Sequence, residues 1–251
     1  MDSWKVKLPD YQFILWDTKR FDINMTVWTK QAFDAKMYAC AADYIRLYAV
    51  YHYGGIYLDM DMEVIKPFDP LLDSELMLAD ETPHQKSLEA GCFGAVKGHP
   101  YIKKCMEYFE NKHFFDPAET ETILDMPVSK RYVYISTLIL PEIMKYILEL
   151  YFHDKRYKIY SWKYFTVKSV LTGAIKQTGE TYTIHHFSTQ YHSAEWRKNR
   201  MVEQRINRIF GVDTLMSVIT HKIFAVARRI KSEGLKKAAG YYLDKYVRKK
   251  T

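Results

Sequence analysis

The chain has 251 residues, long enough to bury a sizeable core as one large domain. Hydrophobic residues make up 48% and charged residues 27%, which excludes a disordered or collagen-like chain. A net charge of +7 would suggest a nucleic-acid binder, but it is uneven: residues 197–251 hold 15 Lys/Arg and 4 Asp/Glu, whereas residues 1–196 hold 22 and 26.

The asymmetry predicts a mildly acidic body, residues 1–196, with a basic extension, residues 197–251. No recognisable nucleic-acid motif accompanies the extension, so no nucleic-acid partner is expected. The three cysteines, Cys40, Cys92 and Cys105, are odd in number and lack metal-ligand spacing. They fit free thiols in a reduced, cytoplasmic setting. The Met-Asp-Ser-Trp-Lys start lacks a signal-peptide profile, and no apolar run reaches the ~20 residues that span a bilayer.

In chain order, Tyr11 to Trp16 reads as a buried strand between Pro9-Asp10 and Asp17. Lys30 to Tyr53 reads as one helix. Phe33, Met37, Ala41, Tyr44, Leu47 and Tyr51 recur at three- and four-residue steps. Gly54-Gly55 ends it, because glycine takes the left-handed conformation freely. Ile56 to Asp59 is a short strand. Glu75–Ala79 and Cys92–Val96 are further strands of the same sheet. Pro100–Asn111 is helical, Arg131–Leu150 is helical with an interruption at Pro141, and Thr181–His186 is a late strand. Alternating strands and helices predict an α/β fold with a mostly parallel sheet. In the extension, Leu215, Met216, Ile219, Ile223, Phe224, Val226, Ala227 and Ile230 form one helical face, and Leu235, Ala239, Tyr242, Leu243 and Tyr246 form a second.

The chemistry centres on Asp59 and Asp61, one residue apart at the end of an apolar strand. Ligands of α/β sheets collect beyond the carboxyl ends of strands. Hard cations such as Mn²⁺ or Mg²⁺ take carboxylate oxygens and leave positions for phosphate oxygens. Such an ion neutralises charge on a departing diphosphate. Asp-x-Asp alone is common on surface loops. Here it follows Gly54-Gly55 and a helix carrying Asp43 and Arg46, three apart and so on one helix face. Arg46 can hold phosphate or sugar oxygens in its planar fork, and Asp43 can accept from sugar hydroxyls. His185 and His186 close the late strand. An imidazole can complete a metal shell, and His186 is taken as the ligand. His192, Ser193 and Trp196 follow in an expected loop, with Trp196 as a stacking platform, a lid or a core anchor.

Ala42-Asp43-x-x-Arg46, followed by Gly54-Gly55-Ile56-Tyr57-Leu58-Asp59-x-Asp61, resembles the DXD sugar-binding region of glycosyltransferase family 32. That group includes capsular polysaccharide glycosyltransferases, yeast initiating mannosyltransferases and the catalytic domains of large clostridial glucosylating toxins. The similarity extends from Ser3-Trp4 to about Trp196. It takes in Leu-Pro-Asp-Tyr-x-Phe-x-Leu-Trp at 8–16 and Tyr-x-Ile-His-His at 182–186. The resemblance implies a GT-A type, Rossmann-like fold, a UDP- or GDP-sugar donor, Mn²⁺ and retention of anomeric configuration. By position, Asp43 and Arg46 would contact donor sugar and phosphates, Tyr57 and Asp59 would lie at the nucleotide or sugar, and Asp61 would bind the metal. Relatives begin with an Ile-Pro-Lys-Ile-Ile-His-x-x-Trp strand that helps cradle the base. This chain starts after it: either its start is misassigned or truncated, or the base site is incomplete. Relatives also often carry Ser-Trp after the histidines, whereas Ala194-Glu195 separates Ser193 from Trp196 here.

Together these features predict a metal-dependent glycosyltransferase of surface polysaccharide assembly acting on a glycan or lipid-linked acceptor. Its basic residues 214–250 either rest on the anionic inner membrane face or form a solvated helical surface. The alternative is a truncated, non-catalytic relative that binds a nucleotide sugar. A two-metal phosphoesterase fits less well, since only one acidic pair is evident.

Overall fold

The computed structural model describes residues 2–84, 86–154, 157–189 and 194–235, together with Lys237, Ala239 and Tyr241. The chain divides into two units, residues 1–168 with 175–192 and residues 169–174 with 193–251.

In the first unit, a short helix α1 (Asp2–Lys7) buries Trp4. The Trp4 indole N–H donates to the Met62 carbonyl at 2.6 Å. The strand expected at Tyr11–Trp16 is not formed. The segment is irregular and outward-facing, with Leu15 64% exposed. No described strand pairs with it, and an apolar run without a ladder partner has no reason to stay extended in a sheet.

The helix expected over Lys30–Tyr53 is two helices, α2 (Val27–Asp34) and α3 (Tyr38–Tyr53). Lys36 lies between them at φ 58°, a left-handed break that the apolar spacing does not reveal. The Thr26 hydroxyl caps α2 by accepting from the Thr29 N–H. Ala41, Tyr44 and Leu47, at three-residue steps, bury one face of α3. Gly54, at φ 74°, ends the helix. A Cβ there would stand 2.8 Å from the Lys97 backbone nitrogen, so the position needs glycine for space as well as for conformation.

Six short strands follow: β1 (Gly55–Leu58), β2 (Met62–Val64), β3 (Leu76–Ala79), β4 (Cys92–Ala95), β5 (Ile159–Tyr160) and β6 (Thr183–His185). One sheet has the order β1-β4-β3-β5, and β2 pairs with β6. The mostly parallel sheet expected from sequence is therefore corrected. Among the described strands only β3 and β5 run parallel; β1–β4, β3–β4 and β2–β6 are antiparallel. Among the described residues no helix crosses over between β3 and β4, and without a crossover consecutive strands return antiparallel. Short apolar runs carry no information on strand direction.

Helices α4 (Pro100–Glu110), α5 (Thr120–Leu124), α6 (Val128–Arg131) and α7 (Leu140–Tyr151) complete the unit. Pro141 lies in the first turn of α7, where its missing N–H costs nothing. The expected interruption is thus a helix start. One core cluster joins α3, α4 and α7 to β3 and β4 through Leu47, Phe93, Tyr101, Phe109 and Met144. A second joins α1 to β2 and to Tyr182, the residue before β6, through Trp4, Met62, Val64 and Phe68. Full burial of each such side chain contributes about 1.5–3 kcal/mol. All three cysteines are free and buried.

In the second unit, α8 (Ala194–Phe210) and α9 (Leu215–Glu233) are joined by a turn at Gly211. The Thr214 hydroxyl caps α9 by accepting from the Ser217 N–H. Gln204 and Asn207 of α8 donate to the carbonyls of Val170 and Leu171, each at 3.0 Å. The second apolar face expected at 235–246 lies largely outside the described residues. Among the described residues, no helix is long and apolar enough to cross a membrane.

Candidate active site

Asp59 and Asp61 occupy the turn between β1 and β2. The Asp59 N–H donates to the Gly91 carbonyl at 2.7 Å, which ties the turn to the residue before β4. The His186 N–H donates to the Asp61 carbonyl at 3.1 Å, and the Ser188 N–H donates to Asp61 Oδ2 at 2.7 Å. The end of β6 is thereby fastened to the acidic turn. The β2–β6 register sets His185 opposite Met62.

Asp59, Asp61 and His185 each offer a ligand atom, and these atoms lie within 4.8 Å of one another. His185 Nε2 stands 3.5 Å from Asp61 Oδ1. Sequence reasoning favoured His186 as the metal ligand; the geometry brings His185 instead. Successive side chains of an extended segment point to opposite faces. His186 accordingly turns away, and its Nε2 meets Glu63 Oε2 at 2.8 Å.

Glu89 belongs to the same cluster and was not foreseen. It is 1% exposed, yet fully engaged. It accepts from His185 Nδ1 at 3.0 Å, from the Thr166 hydroxyl at 2.7 Å and from the Gly91 N–H at 2.7 Å. Burial alone would raise its pKa, but these donors, His185 foremost, outweigh burial and hold it below the usual carboxylate range. An ionised carboxylate can only accept, so His185 carries a proton on Nδ1. The imidazole is buried too, which disfavours its charged form. Glu89, Asp59 and Asp61 outweigh that and raise it to about 9. Its only signal in the sequence is a lone acid in the apolar run Leu88–Ala95.

Gly91 makes room for this arrangement. A Cβ there would fall 2.9 Å from Glu89 Oε1, 2.9 Å from His185 Cε1 and 3.0 Å from Asp59 Oδ2. Beyond His185, Phe187 and Thr189 both adopt φ 48°, and the Phe187 ring stacks on the His185 ring at 3.9 Å. Non-glycine residues held there cost on the order of 1–3 kcal/mol each and persist where the surroundings fix them.

Asp43 and Arg46 reach the cluster from α3. Arg46 Nη2 pairs with Asp43 Oδ1 at 3.3 Å, and Nη1 with Asp59 Oδ1 at 3.5 Å. Nη1 and Nε also donate to the carbonyls of Ala90 and Ala42. The described contacts of the Arg46 fork are thus made to protein groups, so it orients Asp43 and Asp59. Burial raises Asp43 to about 6 despite the lowering effect of Arg46. The Tyr57 hydroxyl donates to Asp59 Oδ1 at 2.6 Å, and its ring lies under the Arg46 guanidinium at 4.8 Å. Burial pushes the Tyr57 pKa up, which keeps the hydroxyl a donor. The structure therefore brings together Asp43, Arg46, Tyr57, Asp59 and Asp61. Trp196 stands on α8 in the second unit, with the Arg200 guanidinium 5.4 Å above its ring. His192 and Ser193 lie outside the described residues.

Two carboxylates and one imidazole form a donor set suited to a divalent first-row cation. A buried carboxylate behind the imidazole is the usual support for a metal-bound histidine.

Comparison with known proteins agrees with this chemistry. Residues 1–78 match the family described as a glycosyltransferase sugar-binding region containing a DXD motif. Inositol phosphoceramide mannosyltransferase 3 of Schizosaccharomyces pombe is 30% identical over 114 residues, covering 42% of this chain and 32% of the relative. Mannosyl phosphorylinositol ceramide synthase SUR1 of Saccharomyces cerevisiae is 31% identical over 118 residues, covering 45% of this chain and 30% of the relative. Human alpha-1,4-N-acetylglucosaminyltransferase is 36% identical over 69 residues, covering 28% and 18%. The chain thus spans about a third of the length of these yeast relatives. No solved structure gives a significant match. The acidic turn and these matches are alike in kind: both are features of glycosyltransferases to which this chain is similar. Within that likeness, residues 1–78 carry the resemblance to the DXD-containing sugar-binding region of glycosyltransferase family 32.

Proposed function

We propose that the protein is a metal-dependent, GT-A type glycosyltransferase. It moves a hexose from a UDP- or GDP-sugar to a glycan or lipid-linked acceptor in surface polysaccharide assembly. The observation that carries this reading is the convergence of Asp59, Asp61 and His185 beside the Asp43–Arg46 pair. Relatives whose names specify mannosyl transfer to inositol phosphoceramide support a lipid-linked acceptor.

Asp59, Asp61 and His185 would hold the cation, Mn²⁺ in preference to Mg²⁺ because an imidazole joins the carboxylates. When bound, the cation supplies Lewis-acid neutralisation of the departing diphosphate. Tyr57 and Arg46 fix the rotamer of Asp59, and Glu89 fixes the ring of His185. Asp43, a carboxyl group with its pKa near 6, faces the donor sugar and can accept or donate a hydrogen bond. Among the described residues, Glu89 is engaged by His185, Asp43 by Arg46 and Glu81 by Ser87. That favours front-face attack with retention, in which the leaving diphosphate takes the acceptor proton.

The test is a panel of nucleotide sugars incubated with the protein, with and without Mn²⁺. Cation-dependent release of UDP or GDP from one donor is the expected result. No release from any donor, and no thermal stabilisation by UDP or GDP with Mn²⁺, would make the chain a non-catalytic relative.

A further inference from the structure

Helix α9 is turned opposite to the usual rule. Surface helices face their apolar stripe inward and their polar residues outward. In α9, Ser217, His221, Phe224 and Arg228 recur at four-, three- and four-residue steps and form the face toward α8. Ser217 is 1% exposed, and His221 Nε2 meets Asn207 Oδ1 of α8 at 2.7 Å. Phe224 and Arg228 line a cavity of about 410 Å³ with Arg200 and Gln204 of α8. Three of these four residues are polar. The other stripe, Leu215, Ile219, Ile223 and Ile230, is apolar throughout and faces out. Leu215 is 75% exposed and Ile223 64%.

Basic residues edge this outward stripe. Lys222 adjoins it, and Lys231 follows Ile230 at its C-terminal end; both are exposed. From 197 to 251 basic residues outnumber acidic ones by 15 to 4. An apolar stripe edged by long cationic side chains matches an interface whose interior is hydrocarbon and whose surface is anionic. The stems of such lysines lie along apolar surface while the ammonium groups reach phosphate. A protein partner with an apolar groove would satisfy the stripe alone. The net positive charge of the segment, with Lys222 beside the stripe, selects a lipid surface.

We propose that α9 lies in the plane of an anionic lipid bilayer, with Leu215, Ile219, Ile223 and Ile230 inserted and Lys222 and Lys231 at the headgroups. The proposal stands apart from the transferase reading: donor hydrolysis in solution tests that one, and vesicle binding tests this.

The full chain is sedimented with vesicles of phosphatidylcholine alone, or of phosphatidylcholine with phosphatidylglycerol, at low and high salt. Binding to the mixed vesicles that falls at high salt is expected, with little binding to phosphatidylcholine alone. Leu215→Asp with Ile223→Asp should lower the partition coefficient more than about tenfold, because two large apolar side chains no longer insert. Lys222→Glu with Lys231→Glu should weaken binding only to anionic vesicles. Leu215→Ser with Ile223→Ser serves if the aspartates disturb the helix, and circular dichroism reports helix content for each. Failure to bind anionic vesicles, or binding unchanged by both apolar pairs, overturns the proposal. So does a wild-type dimer that those pairs convert to monomer without changing vesicle binding; the stripe would then cover a second copy of the chain.

Discussion

Glu89 accepts the Nδ1 proton of His185 at 3.0 Å, and this one contact turns His185 Nε2 toward Asp61. The ring orientation at the acidic turn is therefore set by a residue whose own carboxylate is buried behind it. Removing Glu89 leaves His185, Asp59 and Asp61 in the chain but frees the ring. Glu89→Ala should weaken Mn²⁺ binding by about 10–100-fold, measured by titration calorimetry. Glu89→Gln, which still offers a carbonyl acceptor, should recover part of that loss. Equal Mn²⁺ affinity in wild type and Glu89→Ala would remove Glu89 from the site.

Asp61 serves both the cluster and the backbone, since its Oδ2 accepts from the Ser188 N–H. Asp61→Asn keeps an acceptor for that N–H and discards the charge. The variant should retain its unfolding midpoint, lose stabilisation by Mn²⁺ and lose donor turnover by more than about a hundredfold. Near-normal turnover would show that the cation binds elsewhere.

Gly91→Ala places a methyl group among Glu89, His185 and Asp59. These are packed groups with backbone ties, so the collision cannot be relieved at one flexible tip. A stability loss of about 1–3 kcal/mol is expected in urea, together with loss of Mn²⁺ binding. An alanine variant that binds Mn²⁺ normally would show that the cluster is looser than described.

Asp43 gives a pH signature. In the folded state burial raises its pKa from the ordinary 3.8 to about 6. Folding thus favours its protonated form. The stability it contributes is fully present below pH 3.8 and is lost as pH rises through about 6. That slope is worth about 3 kcal/mol at most. Asp43→Asn should flatten the fall in stability between these pH values while abolishing turnover. Urea midpoints measured across that window check it, and an unchanged slope in the variant would assign the titration to another group.

Much of the site could be read from the sequence because its chemistry is local. Asp59 and Asp61 follow Gly54-Gly55 directly, and Asp43 and Arg46 share one helix face that leads into the same strand. The rest depends on pairings distant in sequence. His185 reaches the cluster because β6 pairs with β2, about 120 residues earlier, and a one-residue change of register would present His186 instead. Glu89 lacks any motif. Its role comes from the fold bringing Thr166, His185 and Gly91 around one carboxylate. The strand directions were hidden for a related reason: short runs such as Leu76–Ala79 and Cys92–Ala95 look alike whichever way they run. Tyr11–Trp16 has the apolar residues of a strand, but a strand also needs a neighbour, which residue type alone does not show.

The buried thiols turn this protein into its own reporter. Cys92 opens β4, directly after Gly91, and burial pushes its pKa far above the range in which thiolate forms. An alkylating reagent can reach it only when the surrounding strands part, so its modification rate follows the opening equilibrium. A cation that clasps the β1–β2 turn to the end of β6 should slow that rate in proportion to its occupancy, while a cation bound elsewhere in the chain should leave it unchanged.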